Sequence, residues 1–208
     1  MNFSNLTHWA VVVMRLVVVV MRLVVLHCHG LLVSHKTNIS DQYLISNIQM
    51  LVGRAGYLAG YMWLCSQGVN SLSLPEVYSV CDMMVRCGQE YSVRSRSPCP
   101  LMYQYYGTEY LGAAHGLVGI LQMLLTIPGY LQHCSESAAR DIRASVDYML
   151  QIQTPDGNFP CAMDELAPGS RPPEDDLVHW CHGAPGTVYL LARAYLVWGD
   201  QKYLVALK

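Results

Sequence analysis

The sequence predicts an all-α body of stacked or ring-closed helical hairpins, and three observations carry that prediction. Apolar residues recur at helical spacing in several segments beyond residue 40. No stretch there alternates apolar and polar residues as a half-buried strand does. Three segments, Gly53-Arg-Ala-Gly56, Gly116-Leu-Val-Gly119 and Gly183-Ala-Pro-Gly186, open apolar runs with one GxxG pattern, their first glycines 63 and 67 residues apart. A period of that size leaves room for one hairpin per repeat, each burying its face against its neighbours.

The chain divides at about residue 41. Residues 10–26 read AVVVMRLVVVVMRLVVL, with VVVMRLV in tandem at 11–17 and 18–24. A secretory signal wants positive charge ahead of its apolar run; Met1 to Trp9 carry none, and Arg15 and Arg22 sit inside it. A membrane span would place both arginines in hydrocarbon, at roughly 2.5–3.5 kcal/mol each on insertion scales. Residues 1–41 therefore read as an apolar, β-prone extension of low complexity with an evident aggregation risk, and peripheral membrane attachment is its alternative use. His27-Cys28-His29 places adjacent side chains on alternating faces of a strand, a poor chelate, and is read as chance.

Residues 42–208 form the helical domain. Apolar positions are dense over 42–65, broken by Gly53, Gly56 and Gly60. Ser73-Leu-Pro-Glu76 has capping-box spacing with a proline in the first turn. Behind it Val77, Val80, Cys81, Met84, Cys87 and Tyr91 form one stripe. HGLVGILQMLLTI at 115–127 makes another helix, stopped by Pro128-Gly129. Ala139, Ile142, Val146 and Met149 give an amphipathic face with Arg140, Asp141 and Arg143 between them. Val188, Leu191, Tyr195 and Trp198 mark a further helix, and Gly199-Asp200 restarts the chain into a short last one.

Charge and cysteine content narrow the function. Thirteen Lys plus Arg against fifteen Asp plus Glu leave a net charge of -2, which disfavours binding driven by nucleic-acid phosphates. With 52% hydrophobic and 13% charged residues, the chain is neither disordered nor collagen-like nor a coiled coil. Its eight cysteines are scattered without a CxxC pair, so they read as free thiols in a reducing compartment. The expected location is the cytoplasm, with the inner face of the plasma membrane as the site of peripheral contact. The sequons at Asn2, Asn5 and Asn38 point outward, but such triplets arise often by chance.

Two repeats carry extra chemistry: Gly112-Ala-Ala-His115-Gly116 and His179-Trp-Cys181-His182-Gly183-Ala-Pro-Gly186. With LVGRAGYLAG at 51–60, CPLMYQYYGTEYLGAAHGLVGIL at 99–121, SVDYMLQIQTPDGNFP at 145–160 and DLVHWCHGAPGTVYLLARAY at 176–195, the sequence resembles the LanC-like family, eukaryotic relatives of bacterial lanthionine synthetase cyclases. The acidic, proline-bearing loop at 164–176 is most similar to the third vertebrate paralogue.

That resemblance implies an α/α toroid whose inner helices open with GxxG turns. It implies zinc at the mouth of the ring, held by the cysteine of the WCHG motif and a later Cys-His pair. It implies addition of a thiol, from glutathione or a peptide cysteine, to a dehydroamino acid in a peptide. The metal would lower the pKa of the bound thiol, and the histidine of the AAHG motif would serve acid–base chemistry. By position these residues are Cys181, as metal ligand, and His115, as catalytic residue.

The departures bear on activity. The family's second zinc motif, a Cys-His-Gly opening of the next inner helix, does not occur after Cys181, and residues 1–40 carry none of the family's motifs. The chain reads as a truncated member, an open arc of the toroid that is inactive or impaired. The expected alternative is a non-catalytic binding or membrane-peripheral helical protein. Catalytic zinc wants three protein ligands plus an open position; Cys181 offers one, and adjacent His182 adds another only with unusual geometry. His115 has a plainer reading as a helix-start or core residue, and Arg54 as a solvated or carbonyl-bonding loop residue. An α/α-toroid glycosidase ranks last, since Asp164, Glu165, Glu174, Asp175 and Asp176 cluster on one loop instead of flanking a cleft.

Overall fold

The computed structural model describes residues 48–207 apart from Val52, residues 69–72 and Pro168. The extension read at 1–41, with its tandem repeat and His27-Cys28-His29, lies outside the described residues. Helices α1 (Arg54–Ser66), α2 (Leu74–Ser95), α3 (Leu117–Thr126), α4 (Tyr130–His133), α5 (Glu136–Gln151), α6 (Ala184–Trp198) and α7 (Gln201–Val205) follow in order. Two 3-10 turns, Met163–Leu166 and Pro173–Asp175, lie between α5 and α6. Among the described residues there is no strand, only two isolated bridges. The body is all-α.

Local chemistry sets the helix ends. The Glu76 carboxylate accepts the Ser73 N–H at 2.8 Å and the Ser73 hydroxyl at 2.7 Å, tying down the start of α2. The stripe from Val77 to Tyr91 is buried as its spacing requires. Ser135 opens α5 by accepting the Ala138 N–H at 3.1 Å, a cap of about 1 kcal/mol. Asp200 does the same for α7 from Lys202, at 3.2 Å.

Helix α3 is the centre of the core. Leu117, Val118, Ile120, Leu121, Met123, Leu124 and Leu125 are all buried, and only Gln122 and Thr126 are half-buried, so the helix is apolar over most of its surface and enclosed. It packs chiefly on α6 and also on α1, α4 and α5. Arg193 of α6 donates to the Leu125 carbonyl at 3.0 Å, satisfying one of the acceptors that a helix C-terminus leaves open.

Two faces differ from the spacing. On α5 the buried residues include Ala138, Ser145 and Tyr148, while Ala139 is half-buried. Ser145 is tolerated there because its hydroxyl accepts the Leu101 N–H at 3.0 Å and donates to the Asp141 carbonyl at 2.7 Å. On α6 the core side is Gly186, Thr187, Leu190, Leu191 and Ala194, whereas Val188 is 42% exposed. Small residues at 186 and 194 let α6 lie close to α3, and that contact decides which side turns inward. Val188, Tyr189 and Leu196 are left facing outward.

Candidate functional site

The three GxxG turns share one construction. Gly56, Gly119 and Gly186 lie against the carbonyls of Met50, Ala113 and Trp180, each six residues earlier. A Cβ there would run into backbone oxygen, so glycine is what lets the loop close on its helix. One residue before, Ala55 and Val118 donate back to Ile48 and Leu111, both at 3.0 Å.

The third repeat solves the same problem differently. Its equivalent donor position is Pro185, which has no N–H. Where Leu117 N–H reaches the Tyr110 carbonyl directly at 3.1 Å, an Asn158 carboxamide stands between the corresponding groups. Its Oδ1 accepts the Ala184 N–H at 2.8 Å, and its Nδ2 donates to the Leu177 carbonyl at 3.2 Å. Gly183, with φ 94, supplies the left-handed backbone that this turn needs.

In this frame His115 and His182 are equivalent residues, each immediately before a first glycine, and Cys181 corresponds to Ala114. The two loops meet at Gly112. A side chain on it would strike the Cys181 carbonyl and crowd the His182 Cα. Ala114 N–H points at the same Cys181 carbonyl from 3.5 Å. The fold thus sets the loop of His115 beside that of Cys181, and the His115 and His182 ring centroids are 6.5 Å apart.

Aromatic rings and one amide fix the histidines. Tyr105 lies flat on His115 at 5.1 Å and 6°. Tyr110 lies 5.8 Å from His115 and 5.9 Å from His182. His115 Nδ1 donates to Gln49 Oε1, which leaves Nε2 as the nitrogen free for proton exchange. Gln49 is 2% exposed, and its Nε2 has no partner. Burial, and then the nearness of His115, lower the pKa of His182, so its imidazole is neutral at neutral pH. Its Nδ1 is buried without a partner. Cys181 is half-buried.

The donors present do not fit a complete zinc site. Among the described residues no three His, Cys, Asp or Glu side chains converge as metal ligands would. His182 shares the loop with Cys181, but its unpartnered Nδ1 is buried in protein.

Arg54 is not a solvated loop residue: it is 4% exposed in the first turn of α1. Burial lowers its pKa, opposed by nearby Cys87. Glu165 on the acidic loop pairs with Arg171 and accepts the Cys161 N–H at 2.8 Å. Burial alone would raise its carboxyl, but these hydrogen bonds outweigh burial and hold it below the usual range. A cavity of about 530 Å³ beside it, lined by Asn158, Phe159, Cys161, Glu165 and Arg171 among others, includes neither His115 nor Cys181. Sequence reasoning does not reach Gln49, Tyr105 and Tyr110: the tyrosines lie within the 99–121 stretch, but Gln49 carries no signal.

Known proteins are similar to this sequence. The family model for lanthionine synthetase C-like proteins matches residues 27–208. Glutathione S-transferase LANCL1 of Danio rerio is 37% identical over 161 residues, which cover 75% of this chain and 37% of that protein. The chain therefore spans little more than a third of the length of that curated relative. A match over most of its residues, together with this identity, shows that the chain belongs to the lanthionine synthetase C-like family.

Proposed function

We propose that the chain binds a dehydroamino-acid peptide and a thiol, glutathione or a peptide cysteine, where its second and third GxxG repeats meet. His115 is the proton-transfer residue of this reading and Cys181 its metal-directed thiol. The observation that carries it is the seating of Gly112 on the Cys181–His182 backbone, which sets two motif loops 66 residues apart in sequence side by side. The name of the Danio rerio relative supports glutathione as the thiol.

Thiol addition breaks an S–H bond, forms a bond from sulfur to the β-carbon of the dehydroamino acid, and delivers a proton to its α-carbon. An imidazole near neutral pH suits both proton transfers. Gln49, holding Nδ1, presents Nε2 for them. Half-buried Tyr105 and Tyr110 pack against the His115 ring. Zinc, were it bound, would supply an activated thiolate.

Because this chain's described donors do not make a three-ligand site, we propose binding with little or no turnover. Cytoplasmic residence goes with this reading and is supported by seven free cysteines among the described residues. A second reading, a non-catalytic protein held peripherally at the inner face of the plasma membrane, is supported by the outward Val188, Tyr189 and Leu196 of α6. No helix among the described residues is long and apolar enough to cross a membrane.

The test is metal content after dialysis of the 208-residue chain, with mass spectrometry of a dehydroalanine peptide incubated with glutathione. The expected result is no stoichiometric zinc and no thioether above the uncatalysed rate. One zinc per chain that Cys181→Ala releases would overturn the incomplete-site reading.

A further inference from the structure

The turn at Tyr105–Thr108 stands next to His115 and has a feature that folding does not explain. Tyr105 and Thr108 exchange both backbone hydrogen bonds, at 2.9 and 3.1 Å, closing a two-residue hairpin. Tyr106 (φ 49) and Gly107 (φ 84) are both left-handed, the signature of a type I′ turn. Glycine suits its position. Tyrosine does not: the first central residue of such a turn favours Asn, Asp or Gly, and left-handed backbone is uncommon for a bulky side chain.

Burial does not compensate. Tyr106 is 89% exposed, and its ring meets Tyr105 edge-on at 4.4 Å. Tyr105 in turn lies flat on His115. Three rings thus form a staircase from the proton-transfer residue to solvent. Beyond the edge-on contact with Tyr105, the strained turn holds an exposed ring beside the proton-transfer residue, where a ligand would meet it.

We propose that Tyr105 and Tyr106 form an arm that grips the peptide carrying the dehydroamino acid, a role that rests on the functional reading above. The unsaturated residue is planar and conjugated with its amide, so it offers an aromatic ring a flat face to pack on. Residues 103–110 contain no Lys or Arg and one carboxylate, Glu109. An arm of that charge favours a neutral peptide stretch over glutathione, a dicarboxylate.

The experiment is fluorescence anisotropy of a labelled, uncharged dehydroalanine peptide on the full chain, with glutathione measured separately by calorimetry. Tyr106→Gly removes the ring and relieves the turn, so folding does not suffer. It should weaken peptide binding about tenfold, which is about 1.4 kcal/mol, with an unchanged or higher Tm and unchanged glutathione affinity. Tyr106→Trp should retain peptide binding. If Tyr106→Gly binds the peptide as tightly as wild type, or loses glutathione in parallel, the arm is wrong while the functional reading stands. If the wild-type chain binds neither peptide nor glutathione, the functional reading falls and the arm with it.

Discussion

Helices α3 and α6 begin alike and end in different surroundings. Both follow a GxxG turn whose second glycine lies against a carbonyl six residues earlier. Yet no residue of α3 is exposed, while α6 turns Val188, Tyr189 and Leu196 outward. The difference separates two jobs of the repeat. Glycine spacing fixes how the chain turns into the helix, and neighbours alone decide how much of the helix is covered.

The largest expected effect follows from that contrast. Leu121→Ala in α3 removes a fully buried side chain, and should cost about 2–5 kcal/mol. Leu196→Ala in α6, at a position 72% exposed, should stay within about 0.5 kcal/mol. Urea midpoints at constant slope measure both. Similar costs at the two positions would mean that the outer face of α6 is covered in solution.

A smaller effect separates the turns themselves. Asn158→Ala leaves the Ala184 N–H and Leu177 carbonyl without their bridge. Leaving such groups unpaired should cost about 1–3 kcal/mol. Amide exchange should quicken at Ala184 and stay slow at Leu117 and Val118, whose N–H groups bond directly to backbone. Equal quickening in both turns would show that they do not open independently.

What the sequence made legible follows the same division. The helices, the α2 stripe and its Ser73–Glu76 start rest on contacts within a few residues, and periodicity or capping spacing reports those. The inward face of α6 does not, because periodicity tells which residues share a side and not which side meets α3. Ala138 against Ala139 is the same ambiguity by one position. Arg54 looked solvated because a charge near a glycine usually is, and nothing local signals its burial. Gln49 on His115 and Asn158 on Ala184 bridge 66 and 26 residues. Such pairings leave no pattern in a single chain. His115 and Cys181 are reachable through their motifs, whereas the contact of their loops at Gly112 joins segments 69 residues apart and leaves no local pattern.

The central claim is that the His115 loop and the Cys181–His182 loop form one binding site. Histidine-selective ¹⁵N spectra of the full chain, titrated with a dehydroalanine peptide, test it most directly. His133 of α4, tilted against the Tyr78 ring at 4.4 Å, serves as the internal reference. The account predicts that the His115 and His182 imidazole signals shift together with a single Kd while His133 stays still. A shift of His115 without His182, or movement of His133 in place of either, would contradict it.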